Sequence, residues 1–217
     1  MNQFNFVLKL LSIAVCVAIT SCQLETTKLK AFKSNCAFEP MYTKVHTLKL
    51  KFQIEPYSNS TAQYNPKTNT VIIKDMDLLN QDYQQEELFH AYQNSTYSGG
   101  VDQYMGKTGH SNIEFESHLY RTLISTVQVG TYCGALVFAG KDWDDIRDWI
   151  MEITNWGEVL PKTFNQLNTP KMSYYQAIEL FKRIFPQYKY PTDTSMQPKA
   201  MLNLFNSIKS SYLKFAN

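Results

Sequence analysis

Residues 86–93 read EELFHAYQ and lie within residues 77–93, a segment that contains no proline or glycine. The segment is rich in helix-forming residues, which predicts a helix over its whole length. Residues four apart on a helix lie one above the other, so Glu86 and His90 are expected to project from the same side. Two potential metal ligands, with Glu87 beside the first, are thereby placed on one helix.

The sequence before this helix predicts a small sheet. Residues 45–54, VHTLKLKFQI, alternate between apolar and polar side chains, a pattern typical of a half-buried strand. Residues 61–75 contain two short strand-like runs around the turn-forming NPKTN, which predicts a hairpin. A small antiparallel sheet or hairpin is therefore expected ahead of the helix.

The sequence after this helix predicts further helices. Residues 94–111 are polar and carry four glycines, which indicates a loop. Further helices are predicted from four segments, 112–129, 142–156, 173–188 and 197–215. A small sheet followed by a mainly helical region predicts an α+β domain.

The helix predicted from Asn112 supplies a third candidate ligand. At about 100° per residue, its apolar side chains define a face that includes Glu116, whereas Glu114 falls well outside that face. A carboxylate on a buried face is costly unless it is paired or bound to a metal. Glu116 is therefore expected to be either a ligand or a carboxylate that caps backbone amides. His118 lies about 200° round the helix from Glu116 and is expected to point elsewhere.

The order of these elements resembles the core of a glutamate-type zincin (gluzincin) metallopeptidase, over residues 62–127. In the HExxH signature of zincins, two ligands four residues apart reach one metal, and the intervening glutamate activates a water molecule. The resemblance implies that Glu86 and His90 are metal ligands, that Glu87 is the general base and that Glu116 is the third ligand. It also implies zinc as the metal, and an extended peptide that adds to the edge of the hairpin.

Glu86 is a departure from the signature, because it stands where the first histidine is expected. One histidine and two carboxylates would neutralise a divalent ion, and this set suits manganese or iron as well as zinc. A second interpretation is an inactive zincin-like protein without metal, in which Glu86 and His90 pair and the protein acts by binding a peptide or protein. His110, in the glycine-rich loop, is a further possible ligand.

A di-iron carboxylate protein is a more remote interpretation of the same residues. Glu87 and His90 form the ExxH unit of such proteins, which require two of these units on long helices. The sequence carries only one such unit, and the strands ahead of it do not suit a helical bundle.

The N-terminus predicts export. Residues 1–21 combine an early lysine, an apolar run and small residues, as a secretory signal does. The ending ITSC resembles the lipobox of bacterial lipoproteins, which implies cleavage before Cys22 and lipidation of its thiol. Residues 22–33 are predicted to be a polar tether and residues 34–217 a single domain. We therefore expect a protein of the bacterial cell envelope that is anchored to the membrane by lipid, in the periplasm or at the cell surface.

The charge of the chain points away from nucleic acid as a partner. Lysine and arginine number 21 against 19 aspartates and glutamates, and no basic cluster with interleaved glycine or repeated aromatic residues is present. Nucleic-acid-binding domains usually carry such a basic footprint.

Overall fold

The computed structural model describes residues 38–75, 81–133 and 141–209. The predicted signal, Cys22 and the tether lie outside the described residues, as does the predicted start of the helix that carries EELFHAYQ. The elements in chain order are α1 (Glu39–His46), β1 (Lys51–Ile54), β2 (Ala62–Asn65), β3 (Thr70–Ile73), α2 (Gln81–Thr96), α3 (His110–Val129), α4 (Lys141–Ile153), α5 (Tyr174–Ile184) and α6 (Lys199–Ser207). Short 3-10 helices cover Phe164–Leu167 and Pro186–Tyr188.

The three strands form one sheet in the order β1-β3-β2. β2 and β3 form the predicted hairpin, in which Ala62 pairs with Ile73 and Asn65 with Thr70. β1 runs parallel to β3, so the sheet is mixed rather than antiparallel. Within the described residues β2 pairs with β3 alone, and its other side is an edge of the sheet. The α+β class predicted from the sequence is confirmed.

The strand predicted over residues 45–54 forms only from Lys51 onward, because the residues before it belong to the end of α1 and a turn. Met41 and Val45 are buried four residues apart on α1. That spacing matches one face of a helix, and Pro40 in the first turn favours helix initiation. Burial of the helical face therefore prevails over the alternation that the sequence shows at residues 45–50.

The core is arranged around α3, which packs against α2, α5 and α6. Tyr120, Leu123 and Ile124 on this helix are fully buried, but so are several of its polar residues. A helix with neighbours on several sides has no solvent-facing stripe along most of its length. None of the helices in the described part of the chain is long and apolar enough to cross a membrane.

Helix α3 begins at His110, two residues earlier than predicted. Gly109 precedes it with φ +89, a conformation that suits glycine, and a Cβ there would lie 2.8 Å from the Tyr104 ring. Asn112, at which the helix was predicted to start, bonds the backbone of Asp193: its Oδ1 accepts from Asp193 N and its Nδ2 donates to Asp193 O, both at 2.9 Å. Asn112 thus ties the segment before α6 to the start of α3.

Candidate metal centre

Three side chains from α2 and α3 converge in the space between these helices and β2. Glu86, His90 and Glu114 each offer one ligand atom, and these atoms lie within 4.8 Å of one another. His90 Nε2 is 3.7 Å from Glu114 Oε2. A group of this composition could hold a metal ion, and the third member is Glu114 rather than Glu116.

The structure does not bring Glu116 into this group. Its side chain is fully buried and its Oε2 accepts hydrogen bonds from Gln93 Nε2 at 2.7 Å and from the Tyr97 hydroxyl at 2.8 Å. Its Oε1 accepts from Met201 N, in the first turn of α6, at 2.9 Å. Glu116 therefore caps backbone amides, the other role expected from the sequence, although on α6 rather than on its own helix.

The apolar face of α3 predicts Glu116, but the structure brings Glu114 into the group, because α3 is buried on more than its apolar face. Glu114 is only 7% exposed although it lies outside that face. His110, Glu114 and His118 are spaced by four residues, which places all three on one side of α3. This side faces α2, and the repeated spacing is the sequence signal that points to Glu114.

A hydrogen-bonded chain orients His90. His90 Nδ1 lies 2.8 Å from Gln93 Oε1, and Gln93 Nε2 donates to both Glu116 Oε2 and the carbonyl of Ile113. Because the Gln93 side-chain nitrogen makes these two bonds, the Gln93 oxygen faces the His90 ring. An amide oxygen can only accept, so His90 Nδ1 carries the proton of this hydrogen bond. His90 Nε2 is then the nitrogen directed at Glu114, as in metal-bound histidines that donate their other N–H to the protein.

Glu86 forms an ion pair with one side chain of α3 and lies near a second. Arg121 Nη2 lies 3.0 Å from Glu86 Oε2, and His118 Nε2 lies 3.7 Å from Glu86 Oε1. Burial lowers the pKa of His118 to about 4, so this ring is neutral at pH 7. The ring stacks on Phe185 at 5.5 Å. His118 therefore points to a different side of α3 from Glu116, as expected, and this side brings it beside Glu86.

Glu114 is contacted from a second direction by His110. Gly106 N donates to His110 Nδ1, so the neutral ring carries its proton on Nε2, which lies 3.3 Å from Glu114 Oε1. Burial opposes ionisation of Glu114, but the charge of His90 and the hydrogen bond from His110 lower its pKa overall. Burial opposes protonation of His90, while the carboxylates of Glu114 and its neighbours raise its pKa overall.

Glu87 lines the same cleft as the three convergent residues. Its side chain is 7% exposed, and burial raises the pKa of its carboxyl to about 7, against the opposing charge of His90. The backbone amide of Tyr64, on β2, donates a hydrogen bond to it. Glu87 therefore lies between the convergent group and the edge strand.

The cleft has a volume of about 380 Å³ and one wall made by the edge strand. Residues 60–64 form this wall, and the carboxylates and His90 form the floor. Apolar side chains complete the rim, among them Tyr83 and Met105, each 40% exposed. Tyr188 closes the side toward α5, where burial and the nearby carboxylates raise its pKa.

Comparison of the chain with protein-family models, with curated proteins and with solved structures gave no match in any of the three.

Proposed function

We propose that the protein is a metal-dependent hydrolase with a zincin-like site, which acts on peptides bound along the edge of its sheet. The convergence of Glu86, His90 and Glu114 within 4.8 Å is the observation that carries the proposal. These residues line an open cleft beside the edge of β2, which pairs with no other strand on that side within the described residues. The same arrangement gives the ligands, the base and the substrate path one common location.

The donor set suits a divalent cation. It consists of one imidazole nitrogen and two carboxylates, all of which are ligands for zinc, manganese and iron. Three protein ligands leave a coordination position open, as catalytic sites require. A cation held there would supply Lewis acidity toward a carbonyl oxygen and would lower the pKa of a bound water.

Glu87 is proposed as the general base. A carboxyl group whose pKa is raised to about 7 is suited to exchange a proton near neutral pH. Its hydrogen bond from Tyr64 N keeps it at the strand edge, beside the cleft floor. Its place next to Glu86 in the sequence also matches the glutamate of the HExxH signature that the segment resembles.

The substrate class follows from the edge strand. The amide of Tyr64 donates to Glu87, so it points away from β3 and toward the cleft. Because Tyr64 N is taken by Glu87, an extended peptide would add through the other main-chain groups of this edge, with its side chains in alternating positions. We therefore propose a peptide or an extended protein segment as the ligand.

A second candidate function is peptide binding without catalysis. Glu86 is paired with Arg121 at 3.0 Å, and His90 Nε2 lies 3.7 Å from Glu114 Oε2. These contacts compensate the charges of the cleft floor without a cation, which is the arrangement expected of an inactive relative. The two candidates differ in whether metal is bound and peptide is cleaved.

The test combines zinc binding with turnover of a peptide library. The wild type is expected to bind one zinc and to cleave peptides, and His90→Ala is expected to lose both. His46→Ala is the matched control, since His46 is exposed on α1 and lies outside the cleft. Cleavage that survives in His90→Ala would contradict the hydrolase proposal. Peptide binding by a wild type that neither holds zinc nor cleaves would favour the second candidate.

The lipid anchor remains a proposal that rests on the ITSC sequence at residues 19–22. A lipidated Cys22 would hold the protein at a membrane of the bacterial cell envelope. Fractionation of cells that express the full chain tests it: the wild type is expected with the membranes and Cys22→Ser without them. A Cys22→Ser protein that stays in the membrane fraction would contradict the anchor.

A further inference from the structure

We propose that Glu86 and Arg121 act together as one electrically neutral ligand unit, which takes the place of the first histidine of the metal centre. Arg121 is then a positioning residue for the ligand Glu86. The inference rests on the proposed metal site, and its experiment measures metal affinity so that the two can fail separately.

An ion pair with Arg121 fixes the Glu86 carboxylate, and the His118 ring lies beside both. Arg121 Nη2 lies 3.0 Å from Glu86 Oε2 and 3.3 Å from His118 Nδ1. A guanidinium can only donate, so His118 Nδ1 accepts, and the neutral ring carries its proton on Nε2. That Nε2 faces Glu86 Oε1 at 3.7 Å. Arg121, His118 and Glu86 thus form a triangle of neighbouring side chains, in which the ion pair with Arg121 restrains the carboxylate.

The triangle is largely shielded from solvent. The side chains of Arg121, His118 and Glu86 are 10%, 14% and 17% exposed. An ion pair at this depth is screened less than a surface pair, and loss of one partner leaves the other charge poorly compensated. Glu86 and Arg121 are therefore expected to behave as a unit rather than as two independent charges.

Charge balance explains why a glutamate can stand at this position. A neutral histidine ligand adds no charge to a metal site, and neither does a glutamate paired with an arginine. With Glu86 balanced by Arg121, Glu114 is the one ligand that brings an uncompensated negative charge. This matches the charge of the two-histidine, one-carboxylate set that is common for catalytic zinc. A divalent ion held by this set would therefore keep a net positive charge.

The spacing along α3 places Arg121 for this role. Arg121 follows Glu114 by seven residues, two turns of helix, so both lie on the side of α3 that faces α2. Glu114 belongs to the convergent group, and Arg121 forms the ion pair with Glu86 of that group. One face of α3 therefore supplies both a ligand and the counter-charge of another ligand.

The test is a cycle of Glu86→His, Arg121→Met and the double variant, with the dissociation constant for zinc measured by competition with a chromophoric chelator. Arg121→Met alone is expected to weaken zinc binding about 10-fold or more, as loss of a residue that orients a ligand does. Glu86→His alone is also expected to weaken it, because the arginine is left without its carboxylate. The double variant is expected to bind zinc more strongly than Glu86→His alone, because removal of Arg121 then removes an unpaired positive charge.

Whether removal of Arg121 weakens or strengthens zinc binding shows whether Arg121 positions Glu86 or only repels the cation. If Arg121 only repels the cation, its removal would strengthen zinc binding in both backgrounds, and this result would overturn the proposal. Equal weakening in both backgrounds would overturn it as well. A wild type that binds no zinc would refute the metal site itself, and the ligand unit with it.

Two further variants keep the experiment interpretable. Arg121→Gln retains a donor without the charge and replaces Arg121→Met in the cycle if the latter does not fold, as judged by circular dichroism. Arg183→Met is the matched control, because Arg183 pairs with Asp142 at 2.7 Å on an exposed surface away from the cleft. Zinc binding by Arg183→Met is expected to equal that of the wild type.

Discussion

Replacement of Glu116 by alanine tests whether this buried carboxylate of α3 stabilises the fold. Such a structural role would distinguish Glu116 from Glu114, the proposed ligand on the same helix. The variant removes the acceptor of Met201 N and the oxygen that Gln93 Nε2 and the Tyr97 hydroxyl share. Gln93 Nε2 still donates to the carbonyl of Ile113, so it loses only one of its two acceptors. The amide in the first turn of α6 loses a buried partner.

The expected cost follows from these contacts. A buried donor left without its acceptor costs about 1–3 kcal/mol, and the space left by a side chain that is fully buried adds to this. We expect the free energy of unfolding to fall by about 3–5 kcal/mol, which lowers Tm by roughly 10 °C for a domain of this size.

Urea unfolding followed by circular dichroism measures this difference. Glu179→Ala, on the exposed side of α5, serves as the control and is expected to change stability by less than about 0.5 kcal/mol. A loss below about 1 kcal/mol in Glu116→Ala would refute the structural role of this carboxylate.

Further predictions concern the cleft and its surroundings. Glu87→Gln is expected to reduce peptide hydrolysis by about 100-fold or more and to leave zinc affinity within about 3-fold, as judged by kinetics and titration. Gln93→Leu is expected to weaken zinc binding about 10- to 100-fold, because His90 Nδ1 loses its acceptor. Zinc at 100 times its dissociation constant should stabilise the wild type by about 2.7 kcal/mol, and a chelator should reverse the shift in Tm. Burial raises the pKa of Glu116 to about 7, so the stability it contributes is present at acid pH and lost as pH rises through 7. Between pH 5 and pH 8, the free energy of unfolding of the wild type, measured with urea, should fall by about 2 kcal/mol more than that of Glu116→Gln.

Much of the fold could be predicted from local patterns. The hairpin was predicted from a turn-forming segment between two short strand-like runs, and Asn65 indeed uses its side-chain oxygen to accept from Lys67 N within that turn. The helices followed from apolar periodicity and from the absence of breakers. Local patterns could not show that β1 pairs with β3 in parallel, because that pairing joins segments that are distant in the sequence.

The ligand group was predictable only in part. Glu86 and His90 lie one turn apart on a single helix, and helical geometry alone brings them together. The choice between Glu114 and Glu116 depends on which side of α3 faces α2, and this is a property of the packed domain. Polarity did not reveal it, because α3 buries its polar side as well as its apolar one. The partners of Glu86 were hidden for the same reason.

The proposed metal centre is tested most directly by the zinc content of the purified protein, measured by titration with elemental analysis, for the wild type, Glu114→Gln and the control Glu179→Gln. Both carboxylates are on helices next to each other, but only Glu114 belongs to the convergent group. We predict one zinc per chain in the wild type and in Glu179→Gln, and loss of stoichiometric binding in Glu114→Gln. Zinc binding that is absent from the wild type, or that is equally strong in Glu114→Gln, would contradict the metal centre.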